Sequence, residues 1–219
     1  MKNSNNQNGR SMIEMLGVLA IIGVLSVGGI AGYSKAMMKY RINKTIEQIT
    51  LIAGNVRTFF ASQGNYDGLD SVGDTGKAII KKAKLVPDEI IEYYKEGTNV
   101  GKIKQLNNAF GGKYDISAIW KGDDDVKICG SNTGSCGYAF AIYMDKIPEE
   151  ACIEIVSHNW DSVVKNTLIR TDARDENDRS FDKLAPLDID TAVVACTDND
   201  RIFLYFGIDP KSNEWGLSE

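Results

Sequence analysis

Four cysteines, one histidine and one carboxylate inside an apolar run are the side chains of this sequence best placed to do chemistry. Cys129, Cys136, Cys152 and Cys196 all fall in the C-terminal half, and none forms a CxxC pair. An even count suits two disulfides if that half is exported to an oxidising compartment. Free structural thiols and a metal site are the other readings. The metal reading is narrow, because His158 is the only histidine and an all-cysteine zinc site would need other spacings. His158 stands in an SHNW stretch with no serine motif to pair it, and reads as a surface or helix-face residue. No GxGxxG, P-loop or HExxH pattern occurs, so neither an enzyme activity nor a cofactor is expected. Asp172, Asp175, Glu176 and Asp178, with Asp188 and Asp190 nearby, offer oxygens to calcium. The EF-hand spacing is absent, and a solvated acidic loop without metal is the expectation.

Glu14 is the most informative of these residues. Residues 12–32 are apolar or small apart from it, and 21 residues are enough to span a bilayer as a helix. An ionised carboxylate in that zone costs about 2.5 to 3.5 kcal/mol even on lenient insertion scales, so either it reaches the boundary or something compensates it. The nine residues before it, MKNSNNQNG, are polar and end in Gly9. Cleavage after Gly9 would make Arg10 the first residue of the mature chain and Glu14 the fifth, placing a free amine beside a buried acid.

The elements that must carry these residues begin with a long helix. Beyond Tyr33 the pattern continues through Ile42, Ile46, Ile49, Ala53, Val56 and Phe60, at intervals of 4, 3, 4, 3 and 4, with Ile52 and Phe59 widening the stripe. No proline interrupts residues 10–62. A continuous helix of that length would run for about 80 Å, against the ~30 Å of a bilayer core. Its second half therefore needs a partner within the chain. Gly17, Gly23, Gly28, Gly29 and Gly32 suit close helix packing in lipid or local melting of the helix, Gly28 and Gly29 being the weakest point. Charge is divided unevenly: residues 1–62 carry a net +5 and the remainder −10. An acidic head of that size makes a nucleic-acid partner unexpected. Lys2 and Arg10 precede the apolar run while Lys35, Lys39, Arg41 and Lys44 follow it, an order that by the positive-inside rule favours a cytoplasmic C-terminus.

Gly9 followed by RSMIEMLGVLAIIGVLSVGGIAGY resembles the class III signal and membrane helix of type IV pilins and type II secretion pseudopilins. The resemblance implies cleavage after Gly9 and N-methylation of Arg10 by a prepilin peptidase. It also implies that Glu14 pairs with the N-terminal amine of a neighbouring subunit during assembly. It departs at Arg10, where the family carries an apolar residue. Arg10 and Glu14 stand at i and i+4, so an intrachain pair competes with the intersubunit one. The resemblance further requires the C-terminus outside the cytoplasm, against the charge order.

For the head, residues 63–76 read as a connection, 77–84 and 88–95 as short helices, 113–120 as a first strand and 123–125 as a turn. Residues 126–129 and 136–144 read as hairpin arms around SNTG, stapled by a Cys129–Cys136 bridge. A helix starting at Pro148 and running to about Trp160 carries Cys152, and 191–196 with 201–206 form a C-terminal hairpin. This order is similar to that of type IVb pilins, and the similarity implies a Cys152–Cys196 bridge, which the chain-entropy model values at about 4 kcal/mol.

The expected molecule is thus α+β: a leader (1–9), a long N-terminal helix (10–62, with 12–32 the transmembrane and assembly segment) and a disulfide-bonded head (63–219) around an antiparallel sheet. Its expected role is structural, as a type IVb-like pilin carried from the inner membrane into an extracellular filament. A pseudopilin or a tip adhesin is the alternative. The implied partners are other copies of the chain, the prepilin peptidase, and an inner-membrane assembly platform with its ATPase.

Overall fold

The computed structural model describes residues 10–121, 126–128, 136–163, 167–171, 181–197 and 199–207. Internal contacts divide the chain into two units, Met1–Arg41 and Ile42–Glu219, and the boundary falls inside the first helix, α1 (Arg10–Phe60).

In the first unit residues 12–36 of α1 are all exposed. The helix is secured by its own backbone and by its small polar residues: the Ser26 and Ser34 hydroxyls donate to the carbonyls of Ile22 and Ile30 at 2.7 and 3.0 Å. Each hydroxyl is thereby satisfied four residues back without needing water.

In the second unit the expected seam is the buried face of α1. Ile42, Ile49, Ile52, Ala53 and Val56 are fully buried and Phe60 nearly so, whereas Ile46 is only half-buried and Phe59, 42% exposed, does not widen the stripe. The helix ends at Phe60, two residues earlier than the pattern suggested. Its partner is an antiparallel sheet in the order β1-β2-β3-β5-β8-β6-β7, with β4 also paired to β3. The strands are β1 (Ile91–Tyr93), β2 (Ile103–Asn107), β3 (Lys113–Lys121), β4 (Val126–Ile128), β5 (Cys136–Met144), β6 (Leu168–Thr171), β7 (Phe181–Leu184) and β8 (Ile202–Phe206). Alternate residues share the face that carries the core, Tyr114, Ile116 and Ala118 on β3, Phe140, Ile142 and Met144 on β5, and Ile202, Leu204 and Phe206 on β8 all being buried, while Ile119, Ala139, Ala141, Leu168 and Tyr205 form a second buried cluster. An aromatic chain runs through it, from Phe60 to Tyr66 (5.8 Å between ring centres), Phe140 (4.8 Å), Phe206 (5.2 Å) and Trp160 (6.3 Å).

Several expectations for the head are corrected. Residues 88–95 form a single 3-10 turn (Asp88–Ile90) followed by β1, because Ile91 and Glu92 find Leu106 and Gln105 of β2 as ladder partners. The helix expected at 77–84 is α2 (Asp74–Lys82), stopped before Lys84, whose φ of 51° leaves helical space. The strand at 113–120 forms, but as the third strand. β4 and β5 are not hairpin arms of each other: Ile119 pairs with both Ile128 and Ala139, so they lie on opposite edges of β3. The helix after Pro148 is α3 (Glu149–Val156), with a separate 3-10 turn at Trp160–Ser162. The largest difference is at 191–196, which is helix α4 (Ile189–Cys196) and not a strand. β8 pairs with β5 and β6 instead of forming a terminal hairpin.

The turn from β2 to β3 fixes the sheet's first half. Asn108 Oδ1 accepts from the Phe110 and Gly112 amides, both at 2.9 Å, and its Nδ2 donates to the Asp145 carbonyl at 2.8 Å. Gly111 supplies the positive φ of 84°. Gly112 lies against Asp145 so closely that a Cβ there would strike its carbonyl oxygen.

Candidate functional site

Glu14 lies in the second turn of α1, four residues and about 6 Å of helix rise after Arg10, so the two positions share a face. Around Glu14 the surface is apolar and open: Met12, Ile13, Met15 and Leu16 are each more than 60% exposed. This is the start of a helix long and apolar enough to cross a membrane, none of whose most apolar window is buried within the chain. Ideal Cβ atoms at Gly17, Gly23, Gly28, Gly29 and Gly32 would meet nothing within 4 Å. Among the described residues, no neighbouring atom requires those positions to be small. Gly9 lies outside the described residues; Arg10 opens the helix.

The head contributes a buried disulfide between Cys152 of α3 and Cys196 of α4, both fully buried. It therefore joins helix to helix, not helix to strand. The helices also share an apolar contact, Ala151, Ile155 and Val156 on one and Ala192 and Ala195 on the other all being buried. Asp188 caps α4, its carboxylate accepting from the Thr191 amide at 3.0 Å and from the Thr191 hydroxyl at 2.7 Å. The same bonds hold the Asp188 carboxyl below its usual pKa. Cys129 lies outside the described residues, and Cys136 is placed by its backbone on β5, opposite Trp120.

A polar chain that the sequence did not reveal ties α1 to the sheet. Tyr114 of β3 donates its hydroxyl to Gln48 Oε1 at 3.0 Å, Gln48 Nε2 donates to Glu89 Oε1 at 3.1 Å, and Lys44 Nζ stands 2.8 Å from the same oxygen. Burial raises the Tyr114 phenol far above its usual range, so it remains a neutral donor. The Lys44 ammonium, with help from Gln48, lowers the pKa of Glu89, and Glu89 raises that of Lys44. The available signal was Gln48, a polar residue next to the apolar seam.

His158 is partly buried with its ring 4.6 Å from that of Trp160, and desolvation lowers its pKa. Among the described residues, no three His, Cys, Asp or Glu side chains are grouped as metal ligands would be. Asp172, Asp175, Glu176 and Asp178 lie outside those residues, and Asp190 is exposed.

No curated protein matches the sequence. Among solved structures, a type IVb pilin from Salmonella typhi is similar, at 15% identity and a TM-score of 0.46 over 76% of this chain and 99% of that one. The family model described as PilS N terminal matches residues 39–208, a span that starts on α1 and ends just past β8. A match to most of the chain, on a long N-terminal helix with an antiparallel C-terminal sheet, means that this protein belongs to the PilS N-terminal family of type IV pilin-like proteins.

Proposed function

We propose that this chain is a structural subunit of a type IVb-like pilus. It waits in the inner membrane as a single-pass protein with its C-terminal region outside the cytoplasm, and is then built into an extracellular filament. The observation that carries the reading is the exposed apolar stretch of α1 with one acid, Glu14, near its start. Such a surface is stable only in lipid or against other apolar helices, and a carboxylate within it needs a positive partner. Prepilin peptidase cleavage after Gly9 supplies one, the new N-terminal amine of Arg10 on a neighbouring subunit. Other copies of the chain replace lipid as the helix leaves the membrane, and the assembly platform's ATPase supplies the energy.

Mass spectrometry of the mature N-terminus, combined with Glu14→Gln, tests this reading. A chain beginning at Arg10 and loss of filaments on Glu14→Gln, with the subunit still present in the membrane, are expected. A different start, or normal filaments without the carboxylate, would overturn the mechanism. Abundance in sheared surface filaments separates a pilus subunit from a pseudopilin, which stays periplasmic and scarce.

A further inference from the structure

The order of charges along α1 has no role in the filament reading. Bases crowd the end of the apolar stretch that faces away from the cytoplasm, where the positive-inside rule disfavours them. Lys44 is engaged with Glu89. Lys35, Lys39 and Arg41 are all exposed and belong to the first unit.

Their position along the helix is informative. Residues 12–32 rise about 32 Å, matching the ~30 Å hydrocarbon core. Tyr33 then falls at the boundary, and Lys35, Lys39 and Arg41 follow about 3, 9 and 12 Å further along. Side chains of an α-helix lean toward its N-terminus, so long basic side chains at these positions are able to reach the polar layer by extending their stems. At 3.6 residues per turn, Lys35 and Lys39 share one side of the helix and Arg41 takes another. Tyr33 and Tyr40, seven residues apart and 67% and 61% exposed, share a third side, as expected of rings lying at a membrane interface.

We propose that Tyr33, Lys35, Lys39, Tyr40 and Arg41 form a collar that binds the phosphate groups of anionic phospholipids on the side of the membrane where the head lies. The proposal rests on the membrane-anchored reading of α1. The bases that the positive-inside rule disfavours are offset by anionic headgroups, since each Lys or Arg held close to an anionic lipid surface is attracted to it. The chain beyond residue 62 carries a net −10, so the attraction is confined to the collar. In this state the collar fixes how deep the unassembled subunit sits.

The test uses the full chain, reconstituted at low density in phosphatidylcholine vesicles containing phosphatidylglycerol. Resistance to carbonate extraction first establishes insertion; an extractable chain would defeat the anchored reading itself. Spin-labelled phosphatidylglycerol and phosphatidylcholine then report which lipid is immobilised by the protein. Wild type is expected to favour phosphatidylglycerol by about fivefold, the factor that one base near an anionic surface contributes. The combined Lys35→Gln, Lys39→Gln, Arg41→Gln variant loses the preference. Lys77→Gln, Lys81→Gln, Lys82→Gln, which removes equal charge from α2, keeps it. An inserted wild type with no preference, or a collar variant that retains it, would overturn the collar alone. Greater displacement by sodium phosphate than by sodium chloride at equal ionic strength would also overturn it, in favour of a free-phosphate site. So would a preference seen only at high protein density, which would assign the bases to acids of a neighbouring copy.

Discussion

Glu89, on the 3-10 turn before β1, is joined by charge to Lys44 of α1, and its titration is predictable in sign. Its pKa is lowered in the folded head, first by Lys44, while that of Lys44 is raised, first by Glu89. A lowered carboxyl contributes stability that is complete above its ordinary value of 4.5 and is lost as pH falls through the folded value. A raised lysine contributes stability that is complete below its ordinary value of 10.5 and is lost as pH rises through the folded one. The pair therefore supports the head across neutral pH and drops out at both extremes. Urea denaturation at a series of pH values should show a shallower acid limb for Glu89→Gln than for wild type; identical limbs would remove the pair from the account. Next to it, Tyr114→Phe leaves the Gln48 side-chain oxygen without its buried donor, and an unsatisfied buried group costs about 1 to 3 kcal/mol. A midpoint unchanged by Tyr114→Phe would mean that water replaces the phenol.

At the scale of elements, α3 and α4 depend on one cap and one bridge. Asp188→Ala removes the acceptor for the Thr191 amide and should cost about 1 kcal/mol, read as a lower thermal midpoint. The bridge closes a sequence separation of 44, so Cys152→Ser with Cys196→Ser should cost about 4 kcal/mol by the chain-entropy model. A double variant as stable as wild type would show that the buried apolar contact between the helices suffices alone. These elements also mark what the sequence could reveal. The pattern from Ile42 to Phe60 identified the buried face of α1 because helical spacing and burial coincide there. Residues 191–196 misled because Val193, Val194 and their neighbours suit a strand, while the opposing signal, Asp188 three residues before Thr191, is a short cap motif outside that window. Ile90 and Ile91 were ambiguous because a short apolar run fits a helix or a strand until a ladder partner decides it, and the partner, β2, is remote in sequence. Gln48 could not be matched to Tyr114 at all, since a separation of 66 residues leaves no local trace.

At the scale of the molecule, the boundary between Arg41 and Ile42 predicts which fragments fold. Every buried apolar residue of the described core lies at or beyond Ile42. A fragment of residues 42–219 should give cooperative thermal unfolding by circular dichroism. A fragment of residues 63–219 loses Ile42, Ile49, Ile52, Ala53, Val56 and Phe60, and should not fold cooperatively. Cooperative unfolding of the shorter piece would mean that the sheet closes its own core. The five glycines of the apolar stretch fall on the other side of that boundary, and among the described residues no atom presses on them. Selection acting on them is therefore invisible to the isolated chain. Alanine at Gly17, Gly23, Gly28, Gly29 or Gly32 would pass every assay of expression, oxidation and head stability, and would be counted neutral in a screen scored on the monomer. The same alleles scored on assembled filaments would separate making the part from using it.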